Sequence, residues 1–193
     1  MKVTNIIIIL GPPGSGKGTQ GKKLAEDLHY EYVSMGQVLR NYADTGSDLG
    51  LKIKEVIDAG RIIPDSWIKI IFHEVMMNLP DDCRGLILDG FPRDLDQEPI
   101  LEDAVSRYGI EKIQVLFIEV PEEKLRERLN SRGRAGSLRA DDDPKIFDTR
   151  FDQYRTRTFP LKAYLAKQGL LLEINGDQSI ENVAEEIKNK LAR

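Results

Sequence analysis

The chain has 193 residues and a formal net charge of −4, which suits one compact domain and gives no global affinity for nucleic acid or an anionic membrane. Apolar residues at 40% and charged residues at 31% are the balance of an ordinary soluble globular protein. The single cysteine, Cys83, excludes an internal disulfide and suits a reducing compartment, so a cytoplasmic location is expected.

The N-terminal run Asn5-Ile6-Ile7-Ile8-Ile9-Leu10 reads as a strand buried on both faces. It is too short for a secretory core or a membrane span. Three glycines and two prolines follow within residues 11–16, and a helix is expected over Lys17–Leu28, with Leu24, Ala25 and Leu28 on one face. Tyr30–Ser34 reads as a second strand. Gly36–Asp44 reads as a short helix, residues 45–48 as a capping turn, and Leu49–Ala59 as a helix closed by Gly60. Residues 62–66 break the chain before a helix over Trp67–Asn78, whose stripe is Ile68, Ile71, Phe72, Val75 and Met76. Leu86–Asp89 is the third strand, Asp96–Tyr108 mostly helix, and Ile113–Val120 the fourth strand. Pro121 opens a helix to about Arg132, a Gly/Arg/Asp-rich loop covers 131–143, and a long helix over 144–166 is expected to bend at Pro160. Leu170–Ile174 is the fifth strand and Ser179–Leu191 the last helix. His29 and His73 lack metal-ligand spacing and read as surface or packing residues.

Strands alternating with helices imply a parallel sheet covered on both faces, an α/β fold whose ligands bind beyond the carboxyl ends of the strands. Three groups lie at such ends: residues 11–20, Ser34-Met35-Gly36, and Asp89-Gly90-Phe91-Pro92-Arg93. The spacing Gly11-x-x-x-x-Gly16-Lys17 is that of a phosphate loop. Its glycines let successive N–H groups face one concavity, the following helix turns its positive end to the same spot, and Lys17 adds a mobile charge. Gly18 stands where most phosphate loops carry Ser or Thr, leaving Thr19 as the nearby hydroxyl for Mg²⁺. Asp89, ending an apolar strand, is the candidate carboxylate for a Mg²⁺–nucleotide, directly or through water.

Six arginines form the second signal. Arg128 and Arg132 share a helix face, Arg139 lies in the loop that follows, Arg150 in the long helix, and Arg40 and Arg93 at other strand ends. A loop flanked by arginines suits a lid that closes over phosphates and expels water. Arg126 and Arg134 read instead as solvated helix charges paired with nearby glutamates.

These residues carry a family resemblance over essentially the whole chain. Gly-Pro-Pro-Gly-Ser-Gly-Lys-Gly-Thr-Gln at 11–20 resembles the phosphate loop of nucleoside monophosphate kinases. Asp89–Arg93 resembles that family's second signature, and Arg139-Ala140-Asp141-Asp142 with Arg150 its third. Gln97 matches the glutamine that reads adenine in adenylate kinases, so the closest resemblance is to adenylate kinases of the short-lid type, without zinc. It implies a P-loop NTPase domain with a five-stranded parallel sheet, a monophosphate-binding region over about 34–63, a short lid over about 131–141, and the reaction MgATP + AMP ⇌ 2 ADP. Gly14, Ser15, Gly16, Lys17, Gly18 and Thr19 would hold the ATP phosphates, with Arg128, Arg132, Gly176 and Gln178 around the rest of ATP. Met35, Arg40, Arg61, Ile62, Ile63, Gly90, Phe91, Pro92, Arg93 and Gln97 would form the AMP site. Arg139 and Arg150 would reach the transferring group, and Lys17, Arg93 and Arg132 would share the catalytic work. The resemblance also implies a monomer.

Two positions depart from the family pattern. Met35 replaces a threonine that contacts the AMP base, and Gln37 an acid that supports the Mg²⁺ water shell. A UMP/CMP or other monophosphate kinase and a non-catalytic nucleotide-binding module are the alternatives. The chain has no Asn-Lys-x-Asp guanine signature of a switch GTPase.

Overall fold

The unbroken apolar run at the N-terminus has two faces to fill. In this computed structural model, which describes residues 3–134 and 144–192 apart from the side chains of 132–134, 144 and 145, β1 (Asn5–Leu10) is the central strand. Ile6, Ile8 and Leu10 enter one core, with Phe72, Phe91, Leu88 and Phe117. Ile7 and Ile9 enter the other, with Leu24, Ile87, Leu116 and Leu125. Side chains alternate across a strand, so a strand covered on both faces needs apolar residues at every position. Burying each such side chain contributes about 1.5–3 kcal/mol.

The remaining strands are β2 (Glu31–Ser34), β3 (Gly85–Asp89), β4 (Lys112–Glu119) and β5 (Leu171–Asn175), in the order β2-β3-β1-β4-β5. All four pairings are parallel, as the alternation of strands and helices predicts. The registers Ser34↔Asp89 and Ile9↔Asp89 bring the carboxyl ends of β1, β2 and β3 level.

The helices are α1 (Lys17–Leu28), α2 (Met35–Asp44), α3 (Asp48–Asp58), α4 (Asp65–Met77), α5 (Glu98–Tyr108), α6 (Glu122–Arg134), α7 (Pro144–Gln153), α8 (Phe159–Lys167) and α9 (Ile180–Leu191). α1 has the predicted bounds. Ser47 caps α3, accepting from Gly50 N, and Ser179 caps α9, accepting from Asn182 N. α4 begins at Asp65 rather than Trp67, because Pro64 supplies the fixed φ that leads into it. A short 3₁₀ turn over Leu95–Gln97, capped by the Asp94 carboxylate, precedes α5. α6 runs on to Arg134, two residues beyond the expected end.

The long helix expected over 144–166 is three pieces. Between α7 and α8, residues Tyr154–Thr158 widen into a π segment, and Phe159 N bonds to Tyr154 O, five residues back. Pro160 has no N–H to give to Thr156 O, so the ladder changes register just ahead of it. Among the described residues, no helix is long and apolar enough to cross a membrane.

Candidate active site

The floor of the site is the turn from β1 into α1. Gly11, Gly14 and Gly16 all have positive φ. Gly11 is forced twice over: its φ is +146°, and a Cβ there would sit 2.4 Å from Ile118 O of β4. Lys17 Nζ arches back over the loop, donating to Gly11 O at 2.9 Å and Pro12 O at 2.8 Å. Ser15 Oγ is buried in this loop with no hydrogen-bond partner among the described residues.

Beyond the strand ends lies a cleft of about 360 Å³. Its wall takes Gly14, Gly16, Lys17, Gly18 and Thr19 from the loop, and Arg40, Arg61, Ile62 and Ile63 from the α2–α3 hairpin and its exit. Asp89, Gly90 and Arg93 come from the end of β3, and Arg150 from α7. The topology thus joins groups far apart in sequence, as the strand-end reading predicts. Arg40 Nη1 and Arg93 Nη2 lie 3.5 and 3.6 Å from the point where a Cβ on Gly36 would sit. Two guanidinium groups converging on one spot favour an anion there. Arg93 Nε donates to Gly90 O at 3.0 Å and Arg40 Nη2 to Gln37 Oε1 at 3.0 Å, which aims both forks. Thr158 of the π segment adds a support, its hydroxyl donating to Arg93 O at 2.6 Å.

Other expected residues lie off this wall. Met35, Phe91, Pro92 and Gln97 are buried, and none lines the cleft. The Gln97 amide is held on both sides: Oε1 accepts from Arg93 N at 2.9 Å, and Nε2 donates to Asp65 Oδ1 at 3.2 Å. Gln97 therefore braces the backbone of Arg93. Ser15 is buried within the loop and off the wall as well.

A separate group sits at the end of β5. Arg128 Nη2 donates to Gly176 O at 2.8 Å, which ties α6 to the turn after β5. Gln178 in that turn donates to Asn175 O and Glu186 Oε2. The Arg132 side chain and all of Arg139 lie outside the described residues, as does most of the expected lid.

Arg126 carries the structural role expected of it. It reaches Glu122 at 2.8 Å and Asp148 at 2.7 Å, and lies over the Phe147 ring. The Arg134 side chain lies outside the described residues. Cys83 is a buried free thiol whose pKa is raised by burial. His73 packs beside Tyr108 and lies 3.0 Å from Asp103. Asp65, Asp94 and Asp96 bring their carboxylates together away from the cleft, and Arg157 reaches Asp94 at 2.6 Å and Asp96 at 3.5 Å.

Sequence reasoning missed Tyr32, Gln153, Tyr154 and Thr158, all on the cleft wall. Tyr32 Oη donates to Asp89 Oδ2 at 2.8 Å. The Tyr154 phenol has its pKa raised, first by burial and then by the Glu119 charge. Each reads from sequence as an ordinary strand or helix residue; for Tyr32 and Thr158 the partner that gives a role, Asp89 or Arg93, is distant along the chain.

A phosphate loop and two converging arginines lining one cleft narrow the choice of family. The adenylate kinase family model matches residues 9–170. The chain belongs to the adenylate kinase family. It is 37% identical over 213 aligned positions to the adenylate kinase of Carboxydothermus hydrogenoformans, covering 97% of this chain and 99% of that protein. It is 38% identical to adenylate kinase 1 of a Nostoc species, covering 96% and 97%. The adenylate kinase of Agrobacterium fabrum is 35% identical, covering 97% of each. The sheet order and the phosphate loop described above are thus features of a family member over nearly its full length.

Proposed function

We propose that this chain is an ATP:AMP phosphotransferase, moving one phosphoryl group reversibly between MgATP and AMP to give two ADP. The observation that carries the reading is the cleft itself. A phosphate loop forms its floor, Arg40 and Arg93 converge on its wall, and Arg150 lines it as well. Two anion sites in one cleft suit two nucleotides meeting phosphate to phosphate. Phosphoryl transfer needs alignment and charge stabilisation more than covalent help.

In this reading the loop N–H groups, the α1 terminus and Lys17 hold the donor phosphates. Arg40 and Arg93 grip the acceptor phosphate. Arg150, with Arg132 and Arg139, draws charge off the group in transit, and burial of the cleft strengthens each contact. Arg128 and the 176–178 turn, which are tied to each other, frame the donor's base. The hairpin over about 34–63 acts as the acceptor region, with a short lid over about 131–141.

The donor set fits Mg²⁺. Asp89 is 8% exposed at the end of β3, Thr19 lines the same cleft, and both offer the oxygen ligands a hard cation takes. Asp89 would hold the ion through its water shell, with Thr19 the nearby hydroxyl. Bound with ATP, the ion neutralises charge on the donor phosphates. We read the protein as a cytoplasmic monomer. The lone buried Cys83 supports a reducing location, and exposed apolar side chains on separate elements, such as Leu51, Ile70 and Ile180, support the single chain.

The test is to supply MgATP with AMP, CMP, UMP or GMP in turn and measure ADP formed. Turnover with AMP far above the others is expected. Turnover with UMP or CMP but not AMP would overturn the acceptor assignment. Binding without transfer to any acceptor would reduce the chain to a nucleotide-binding module.

A further inference from the structure

Gly18 stands after the phosphate-loop lysine, where such loops otherwise place the Ser or Thr hydroxyl that meets Mg²⁺. The fold fills that neighbourhood from another element. The Tyr32 hydroxyl of β2 lies 3.3 Å from the point where a Cβ on Gly18 would sit, and Asp89 Oδ2 lies 3.7 Å from it. Between themselves these two groups make the 2.8 Å hydrogen bond, with the phenol donating. The ring reaches there by passing against α1: a Cβ on Gly21 would stand 2.6 Å from Tyr32 Cε2. Gly18 and Gly21 are three apart and share a helix face. Together they open a groove in α1 that the tyrosine occupies.

We infer that Tyr32 is a positioning residue for metal-linked nucleotide binding: its hydroxyl fixes the Asp89 carboxylate and takes the ground that a loop hydroxyl holds elsewhere. The inference rests on the phosphotransferase reading above. A carboxylate at a strand end can rotate about its Cβ–Cγ bond. A hydrogen bond to one oxygen removes that freedom and sets the direction of the other. Outer partners that orient a metal-supporting carboxylate typically change metal affinity 10- to 100-fold. Tyr32 and Asp89 both line the cleft, so the pair stands beside the donor phosphates in this reading. A larger residue at position 18 or 21 would push the phenol off the carboxylate, so tyrosine and the two glycines form one arrangement.

The test uses the full chain, an imido analogue of ATP, and Mn²⁺ as the probe. Dissociation constants are measured by calorimetry with Mn²⁺ present and with EDTA, for wild type, Tyr32→Phe, Asp89→Asn and the double variant. The readout is the factor by which Mn²⁺ tightens nucleotide binding. Tyr32→Phe keeps the ring in the groove, and should cut that factor about tenfold while leaving metal-free affinity unchanged. In the Asp89→Asn background, Tyr32→Phe should change nothing further, because the hydroxyl acts through the carboxylate. An undiminished factor in Tyr32→Phe sinks the inference. So does an equal loss with and without metal, which would make the tyrosine a packing residue only. If wild type itself gains nothing from Mn²⁺, the phosphotransferase reading falls with it, and the wild-type measurement alone tells that failure from the others.

Discussion

The floor of the cleft and its α2–α3 wall are held in different ways. The floor is set by backbone. Gly11 lies against Ile118 O, β1 is paired on both edges, and Ile8 and Ile9 are fully buried. The α2–α3 hairpin is set by side chains. Met35, Leu39 and Ile53 anchor it in the core, while Leu51 is 57% exposed on its outer side. In the proposed reading, rigid packing suits the part that would hold phosphates in line, and a few anchoring side chains suit the part that would admit an acceptor. Substitutions in the two regions should therefore separate chemistry from acceptor binding.

The largest expected effect lies on the floor. Lys17→Ala should lower kcat about 10²–10³-fold, the scale of losing one preorganised charge at a transition state. The fold should survive, since Lys17 lines the cleft and belongs to neither hydrophobic core. Arg93→Ala, where floor and wall meet, should do about as much. Steady-state rates with a thermal melt check both, and full activity in both variants would end the assignment of these roles.

On the wall the expected effect is smaller and of another kind. Arg40→Ala should raise KM for AMP about 10- to 100-fold, the loss of a charge-assisted contact of about 1.5–3 kcal/mol. KM for MgATP should hold. Initial rates with each substrate varied in turn decide it, and equal shifts in both constants would erase the division between the regions. Smaller still is Ser47→Ala, which removes the α3 cap that accepts from Gly50 N at 3.1 Å. It should cost about 1 kcal/mol, or about 2–4 °C in Tm, with KM for MgATP unchanged.

The same division explains what the sequence discloses. The floor is written locally. An apolar strand, a glycine spacing and a lysine are contiguous, and α1 has the bounds read from them. The parallel sheet follows from alternation, with strand ends displaced by about one residue because apolar pattern marks a strand's middle better than its edges. Contacts between distant residues are not written that way. The Tyr32–Asp89 bond joins positions 57 apart, and only the pairing of β2 with β3 brings them together. The resemblance gives Gln97 an expected place at the acceptor base, while its amide contacts to Arg93 N and Asp65 are a packing outcome that no spacing reveals. Pro160 marks where the helix is interrupted, but the π segment depends on how the ladder closes around its missing N–H.

The smallest predicted effect concerns the joint between the two regions. Asp94 follows Arg93, caps the turn holding Gln97, and pairs with Arg157 while its side chain is 3% exposed. Burial raises its carboxyl pKa, opposed by the Arg157 charge. A raised folded-state value means that the native protein holds this proton after the unfolded chain has lost it. The resulting contribution to stability is full below the ordinary value of about 3.9 and declines as pH rises through the folded value. Asp94→Asn keeps an oxygen for Gln97 N and removes the titration. The Tm of wild type minus that of the variant should therefore fall as pH rises from about 4 through the range just above it. Melts at closely spaced pH values give the sign. If wild type instead gains on the variant with rising pH, the Arg157 pair outweighs burial, and the joint is held by charge rather than by packing.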